Sequence, residues 1–184
     1  LVNNAAVSPK TSYKERLGCL NGDINRWRAV FELNFFAPLT LSRGFAAALG
    51  RGSRRGGAAV VNITSIAGHY IHPFAGSAYS TSKAALSALT REMAVEFAEL
   101  GVRVNAVAPG GVKTPMFSSQ EWFQSLVKEK GSEDAAWKAV AALTPTERFS
   151  EPEEVAELMG FLLGPAARNI TGAILACDGG YSAE

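Results

Sequence analysis

Cysteine and histidine are scarce in this sequence, which limits the disulfide and metal chemistry that it can carry. The chain of 184 residues has two cysteines, Cys19 and Cys177, and they form no Cys-x-x-Cys motif. Two isolated thiols make no disulfide framework, so we expect free thiols in a reducing compartment and predict a cytoplasmic protein. The two histidines, His69 and His72, show no metal-ligand spacing, so we predict no metal site. They are either exposed loop histidines, which we favour, or residues of a substrate pocket.

The sequence also lacks a charge imbalance and any long hydrophobic run. Lys and Arg number 18 against 17 Asp and Glu, and a net charge of +1 gives no reason to expect nucleic acid as a partner. No uncharged apolar run reaches the roughly 20 residues that a membrane-spanning helix needs. The content of 47% apolar and 19% charged residues argues against disorder. We therefore predict one globular domain over 1–184, without a membrane or nucleic-acid partner.

Apolar periodicity predicts an alternation of strands and helices along the chain. Short β-branched runs predict buried strands over 58–64, 102–108 and 173–177, and helical spacing predicts helices over 25–50, 78–100 and 151–163. Pro38 should kink the first helix, and Ser150-x-x-Glu153 is interpreted as a capping box for the last. Strands that alternate with helices favour a parallel, doubly wound α/β sheet.

Residues 115–149 interrupt this alternation. They carry two weaker helical patterns with a mobile connection, so we predict a lid over the site. Its large aromatic residues, Trp122, Phe123 and Trp137, either pack on the sheet or line a substrate pocket.

The most informative local pattern is Tyr79-Ser80-Thr81-Ser82-Lys83 near the start of a predicted helix. A spacing of four places Tyr79 and Lys83 on one helical face. An ammonium beside a phenol favours the phenolate, so we expect the pKa of Tyr79 to fall below its ordinary value of about 10. A lone Tyr-x-x-x-Lys is also common by chance.

Two further polar residues stand at informative positions. Ser65 follows the strand predicted over 58–64, where ligands bind in open α/β sheets, and its hydroxyl either donates to a substrate oxygen or caps the strand. Asn34 interrupts an apolar helix, and it is either a core amide bonded to backbone or a break that holds a water.

Together these motifs resemble the short-chain dehydrogenase/reductase family over essentially the whole chain. The shared pattern is Asn-Asn-Ala at a strand end, an Asn in the next helix, Ser before small residues and a Gly, Tyr-x-x-x-Lys, Pro-Gly-x-x-x-Thr and Asp-Gly-Gly. The resemblance implies a Rossmann-like fold and an NAD(P)-dependent oxidoreductase that interconverts a secondary alcohol and a ketone. The implied substrate is a small carbonyl or alcohol, first a 3-oxoacyl thioester or related ketone and next a sugar or polyol.

The resemblance also implies individual roles. Tyr79 would be the general acid/base, Lys83 would lower its pKa, and Ser65 would donate to the substrate oxygen. The backbone of Asn34 would anchor the water of a proton relay to Lys83. The residues implied to contact NAD or NADP are Asn4, Ala5, Ala6, Tyr79, Lys83, Pro109, Gly110, Val112 and Thr114. Ala6 stands where the family usually has Gly. Family members pair through the helices that carry Asn34 and Tyr79, which implies a homodimer or homotetramer.

One family motif is missing from the sequence. None of the 18 glycines forms the glycine-rich loop that cradles a pyrophosphate after the first strand. The chain opens on Leu1-Val2-Asn3, like a strand end, so we expect it to correspond to the carboxyl-terminal two-thirds of a family member, without the first strands. The alternative is a non-catalytic Rossmann-like module that acts through oligomerisation or partner binding at an open sheet edge.

Overall fold

A parallel sheet forms the centre of the molecule. The computed structural model describes residues 1–9, 17–71 and 75–183. Within them, the strands β1 (Val2–Asn3), β2 (Ala58–Ile63), β3 (Val102–Pro109) and β4 (Ile174–Cys177) lie in the order β1-β2-β3-β4. Each neighbouring pair is parallel, as crossover connections through helices require. The predicted α/β class is therefore confirmed.

Seven α-helices, one π-helical segment (Glu32–Phe36) and three short 3₁₀ turns make up the other regular elements in the described part of the chain. The helices are α1 (Ile24–Phe31), α2 (Ala37–Ser53), α3 (Ser77–Ala98), α4 (Pro115–Ser118), α5 (Glu121–Lys130), α6 (Glu133–Ala141) and α7 (Pro152–Leu163); the turns are Ile66–Gly68, Pro165–Ala167 and Tyr181–Ala183. None of these helices is both long enough and apolar enough to cross a bilayer.

The two central strands are buried on both faces, as their β-branched runs predict. On one face, Val60 of β2 and Val104 of β3 pack with Met93 and Phe97 of α3. On the other face, alternate strand residues such as Val61 pack against α7. Helices therefore cover both sides of the sheet, which is the doubly wound arrangement.

The helix predicted over 25–50 contains a distortion ahead of Pro38. A π-helical segment (Glu32–Phe36) joins α1 to α2, and the N–H of Ala37 bonds to the carbonyl of Glu32. Proline has no backbone N–H, so the Asn34 carbonyl, four residues earlier, cannot receive its regular α-helical hydrogen bond. The distortion predicted at Pro38 is therefore a π-helical turn, and Asn34 lies within that turn.

The capping box predicted for α7 is wrong by one residue. Glu151, and not Ser150, precedes the helix, and the Glu154 carboxylate accepts a hydrogen bond from the Glu151 N–H at 2.9 Å. Pro152 occupies the first helical position, where its missing N–H costs nothing, and this fixes Glu151 as the cap.

The segment over 115–149 contains three short helices, α4 to α6, where the sequence predicts two. Five aromatic rings pack together there with ring centroids 4.4 to 5.8 Å apart: Phe117, Trp122, Phe123, Trp137 and Phe149. The ends of the segment are held together, because Ser150 exchanges backbone hydrogen bonds with Gly111 and Lys113. The segment is a small unit with its own core, anchored beside the end of β3.

Candidate active site

A cavity of about 560 Å³ opens at the carboxyl ends of the strands. Ligands bind at this edge of open α/β sheets. The cavity is lined by all but one of the residues to which the sequence assigns a role: Asn4, Ala5, Ala6, Ser65, Tyr79, Lys83, Pro109, Gly110, Val112 and Thr114. The exception is Asn34, which is fully buried and does not line the cavity.

The tyrosine and lysine stand on the first turns of α3, one turn apart. Lys83 is 2% exposed, and its Nζ donates a hydrogen bond of 2.6 Å to the carbonyl oxygen of Ile63 at the end of β2. The same Nζ lies over the ring of Tyr79, 5.7 Å from its centroid. Burial lowers the pKa of Lys83 to about 8. The spacing therefore places both side chains where the sequence predicts.

The pKa of Tyr79 does not follow the prediction from spacing. Burial raises the pKa of this phenol above its ordinary value, and a side-chain hydrogen bond with Ser65 lowers it by less. The expectation of a pKa below the ordinary value is wrong, because burial disfavours the phenolate more than the hydrogen bond with Ser65 favours it. The phenol is thus neutral at pH 7.

Ser65 both caps a turn and faces the tyrosine. It precedes the 3₁₀ turn Ile66–Gly68, and its Oγ accepts a hydrogen bond of 3.2 Å from the Ala67 N–H. The same side chain is the hydrogen-bond partner that lowers the pKa of Tyr79. The two roles left open by the sequence are therefore both compatible with this geometry.

Asn34 ties three elements together behind the cavity. Its Oδ1 accepts a hydrogen bond from the Val7 N–H at 2.9 Å, and its Nδ2 donates to the Val7 carbonyl at 3.0 Å. Nδ2 also donates to Ser82 Oγ of α3 at 3.0 Å. The side chain is thus a core amide bonded to backbone, and it positions the loop that follows β1 against the helix that carries Tyr79.

Glycines close the cavity at the end of β3. A Cβ added at Gly110 would lie 2.7 Å from Cβ of Asp178, and one added at Gly111 would lie 2.5 Å from the ring of Phe149. Only glycine permits these approaches. At Ala6, by contrast, the backbone has no positive φ, so an alanine in place of the family's glycine is unstrained.

Sequence reasoning missed much of the lining. The additional residues come from the turn after β2, the segment before α3, the lid and α7, and include Ile66, Ala67, Ala75, Met116, Phe117, Gln120, Val155 and Met159. Trp122, Phe123 and Trp137 lie in the lid core and not among the lining residues. Side-chain directions in a segment of irregular connections leave no periodic signal that could have separated these two groups.

His69 is not among the described residues that line the cavity. His69 is exposed, and its Nε2 lies 3.1 Å from Ser87 Oγ on α3. His72 lies outside the described residues. Among the described residues no cluster of three metal-type ligands occurs.

Comparisons with known proteins agree with the fold and the site. A family model described as "Enoyl-(Acyl carrier protein) reductase" matches residues 1–182. Protein FixR of Bradyrhizobium diazoefficiens is 44% identical over 180 residues, which are 98% of this chain and 58% of that protein. Galactitol 2-dehydrogenase (L-tagatose-forming) of Cereibacter sphaeroides is 39% identical over 184 residues, 99% of this chain and 65% of that protein. The chain thus spans about three-fifths of the length of these curated relatives.

Solved structures of other proteins also superpose on this fold. A 3-oxoacyl-[acyl-carrier protein] reductase with bound NAD from Brucella melitensis superposes with a TM-score of 0.80 at 27% identity, over 98% of this chain and 61% of that one. The structure described as ElxO with NADP bound gives a TM-score of 0.80 at 27% identity, over 100% of this chain and 67% of that one.

The parallel sheet and the cavity at its carboxyl edge define a Rossmann-like α/β protein. Within that class, the chain belongs to the short-chain dehydrogenase/reductase family.

Proposed function

We propose that this chain is the catalytic part of an NAD(P)-dependent oxidoreductase that interconverts a secondary alcohol and a ketone. The observation that carries the proposal is the meeting of the Ser65 hydroxyl, the Tyr79 phenol and the Lys83 ammonium in one cavity. A proton donor, a second hydrogen-bonding group and a cation beside one carbonyl oxygen are the groups that this reaction needs.

The cavity fits a nicotinamide cofactor in size and chemistry. Its volume of about 560 Å³ falls in the usual range for cofactor pockets, and its lining includes the small residues Ala5, Ala6 and Gly110 and the hydrogen-bonding side chains of Asn4 and Thr114. The residues that would hold NAD or NADP are Asn4, Ala5, Ala6, Tyr79, Lys83, Pro109, Gly110, Val112 and Thr114. When bound, the cofactor supplies the hydride in reduction and accepts it in oxidation.

The protein's own contribution is proton transfer and positioning. In reduction, Tyr79 Oη donates its proton to the carbonyl oxygen, which becomes the alcohol hydroxyl, and in oxidation it takes that proton back. Ser65 Oγ holds the same oxygen during the transfer. The Lys83 ammonium stabilises the phenolate that Tyr79 leaves behind. Burial raises the pKa of Tyr79, so the phenol carries its proton at pH 7, which is the form that proton donation in reduction requires.

The apolar part of the cavity lining favours an apolar ketone. Ile66, Ala67, Met116 and Phe117 line the cavity together with Gln120, and none of the described lining residues is acidic. A polyol would leave hydroxyl groups without partners against these apolar side chains, which is costly. We therefore rank a ketone with apolar substituents, such as a 3-oxoacyl thioester, above a sugar or polyol.

The proposal is tested by ketone-dependent oxidation of NADH and of NADPH. The protein is assayed as this chain and in a form extended upstream of Leu1, with a 3-oxoacyl thioester and a matched polyol-derived ketose as substrates. We expect turnover of the thioester to exceed that of the ketose. A folded protein that turns over neither substrate in either form would contradict the proposal.

A non-catalytic binding module is the second candidate, because β1 lies at the end of the sheet with no strand on its outer side among the described residues. No thermal-shift response to NADH or NADPH in either form would favour it.

Exposed apolar residues on α2 and α3, such as Phe45 and Val95, support pairing through these helices as a homodimer or homotetramer. Light scattering tests this assembly. The cytoplasmic location and the single domain stay predictions.

A further inference from the structure

The 3₁₀ turn that begins after Ser65 packs directly on the backbone of α3 at Gly68. A Cβ added at Gly68 would lie 2.7 Å from the Ala84 backbone N, 2.9 Å from the Lys83 carbonyl carbon and 3.1 Å from Ala84 Cα. All three atoms belong to the main chain of α3, a helix of 22 residues. Main-chain atoms of a helix cannot move aside as the end of a flexible side chain can. Only a residue without a side chain allows the turn to approach the helix this closely.

The turn is built as one unit from Ser65 to its far end. Ser65 Oγ accepts a hydrogen bond from the Ala67 N–H, and the Gly68 N–H donates to the Ser65 carbonyl at 3.0 Å. The His69 N–H donates to the Ile66 carbonyl at 2.9 Å. A displacement of Gly68 away from α3 is therefore transmitted to Ser65.

A second contact fastens the same turn to the same helix. His69 Nε2 lies 3.1 Å from Ser87 Oγ, and Ser87 follows Lys83 by one helical turn. Since α3 also carries Tyr79, the close approach at Gly68 fixes where the Ser65 hydroxyl stands relative to the tyrosine and the lysine.

We propose that Gly68 is a positioning residue whose missing side chain sets where the Ser65 hydroxyl stands relative to Tyr79. The catalytic part of this inference rests on the proposed function, whereas the structural part does not. An ordinary Cβ contact begins at 3.4 Å, so an alanine at this position forces the turn back by roughly 0.7 Å. Ser65 Oγ already donates to the Pro109 carbonyl at 3.5 Å, the limit of hydrogen-bond range, so a displacement of this size changes the groups that the hydroxyl reaches.

The first test needs no enzymatic activity. Tyrosine labelled with ¹³C at Cζ gives four NMR signals in this chain, and the signal of Tyr79 is assigned with Tyr79→Phe. We expect Gly68→Ala to shift this signal, because the Ser65 hydroxyl moves relative to the Tyr79 phenol. The matched control is Gly44→Ala in α2, where an added Cβ meets nothing within 4 Å, and it should leave the signal in place.

The second test measures turnover. We expect Gly68→Ala to lower kcat about 10- to 100-fold, as a displacement near 1 Å does, while the KM of the ketone changes by less than about threefold. The alkaline limb of the kcat–pH profile should move to higher pH, because the hydrogen bond with Ser65 is what lowers the pKa of Tyr79. A merely structural role would not move that limb.

A further variant decides the matter if Gly68→Ala does not fold. His69→Ala removes the contact with Ser87 from an exposed residue, and we expect a smaller shift of the Tyr79 signal and of the pH profile in the same directions. An unchanged Tyr79 signal in a folded Gly68→Ala variant, or in His69→Ala where the first does not fold, would overturn the inference. A shifted signal with unchanged kcat and pH profile would overturn its catalytic part. A wild-type protein without turnover would instead count against the proposed function, and the NMR result would still stand.

Discussion

Asn34 forms a clamp of three side-chain hydrogen bonds, two to Val7 and one to Ser82. The loss of free energy of unfolding in Asn34→Ala can be predicted from these contacts. In Asn34→Ala, the N–H and carbonyl of Val7 and the hydroxyl of Ser82 lose a partner. Ser82 keeps its bond of 2.7 Å to the Tyr79 carbonyl, so its loss is small. Each abandoned buried group costs about 1 to 3 kcal/mol, and Val7 is partly hydrated, so we expect the free energy of unfolding to fall by about 3 kcal/mol.

Thermal unfolding followed by circular dichroism measures this loss. For a chain of this size, 3 kcal/mol corresponds to a fall in Tm of about 6 to 12 °C. The control is Asn25→Ala, whose exposed amide accepts one bond of 3.1 Å from Arg28 and should change the free energy by less than about 0.5 kcal/mol. Equal Tm values for the two variants would refute the reasoning, since the clamp would then contribute no more than a surface amide.

Two pH predictions follow from the shifted groups. The pKa of Lys83 is lowered to about 8 in the folded chain from 10.5, so the unfolded chain binds more protons between these values and stability should rise with pH from about 8 to 10. Chemical denaturation across that window should show the rise in the wild type and its loss in Lys83→Met. The ion pair with Arg148 lowers the pKa of Glu154 from 4.5 to about 2, so its contribution is present above 4.5 and disappears as the pH falls through about 2. NMR titration of the Glu154 carboxyl should give this low value, and Arg148→Ala should return it toward 4.5; an unchanged value in that variant would contradict the assignment.

The central elements of the fold could be predicted because their signals are local. Strands β2 and β3 are continuous runs rich in β-branched residues, and α3 carries a regular apolar stripe. The prediction of these three elements therefore does not depend on distant contacts. The capping box of α7 was misplaced because Ser150 and Glu151 both suit the position, and Pro152 decides between them. The π-helical segment could not be predicted in detail, because it combines Pro38 with a clamp to a residue 27 positions away.

The features of the site also divide into those that the sequence predicts and those that depend on distant contacts. Ser65, Tyr79 and Lys83 follow from strand end and helical spacing, which are periodic features of the backbone. The raised pKa of Tyr79 could not be predicted, because it depends on burial by elements that are far apart in the sequence. Gly68 belongs to the pattern of a Ser before small residues and a Gly, but that pattern gives the glycine no role, and only the distance to α3 identifies one.

The central claim, that Tyr79 transfers the proton, is tested most directly by comparing two tyrosine variants that each lose one hydroxyl. Tyr79→Phe removes the phenol in the cavity, whereas Tyr70→Phe removes one that is 46% exposed and outside the lining. With the cofactor and ketone that the wild type uses, kcat/KM should fall about 100- to 10,000-fold in Tyr79→Phe, with the binding of NADH or NADPH retained, and should not change in Tyr70→Phe. If Tyr79→Phe kept kcat/KM within about threefold of the wild type, the proton would come from elsewhere and the account would be wrong.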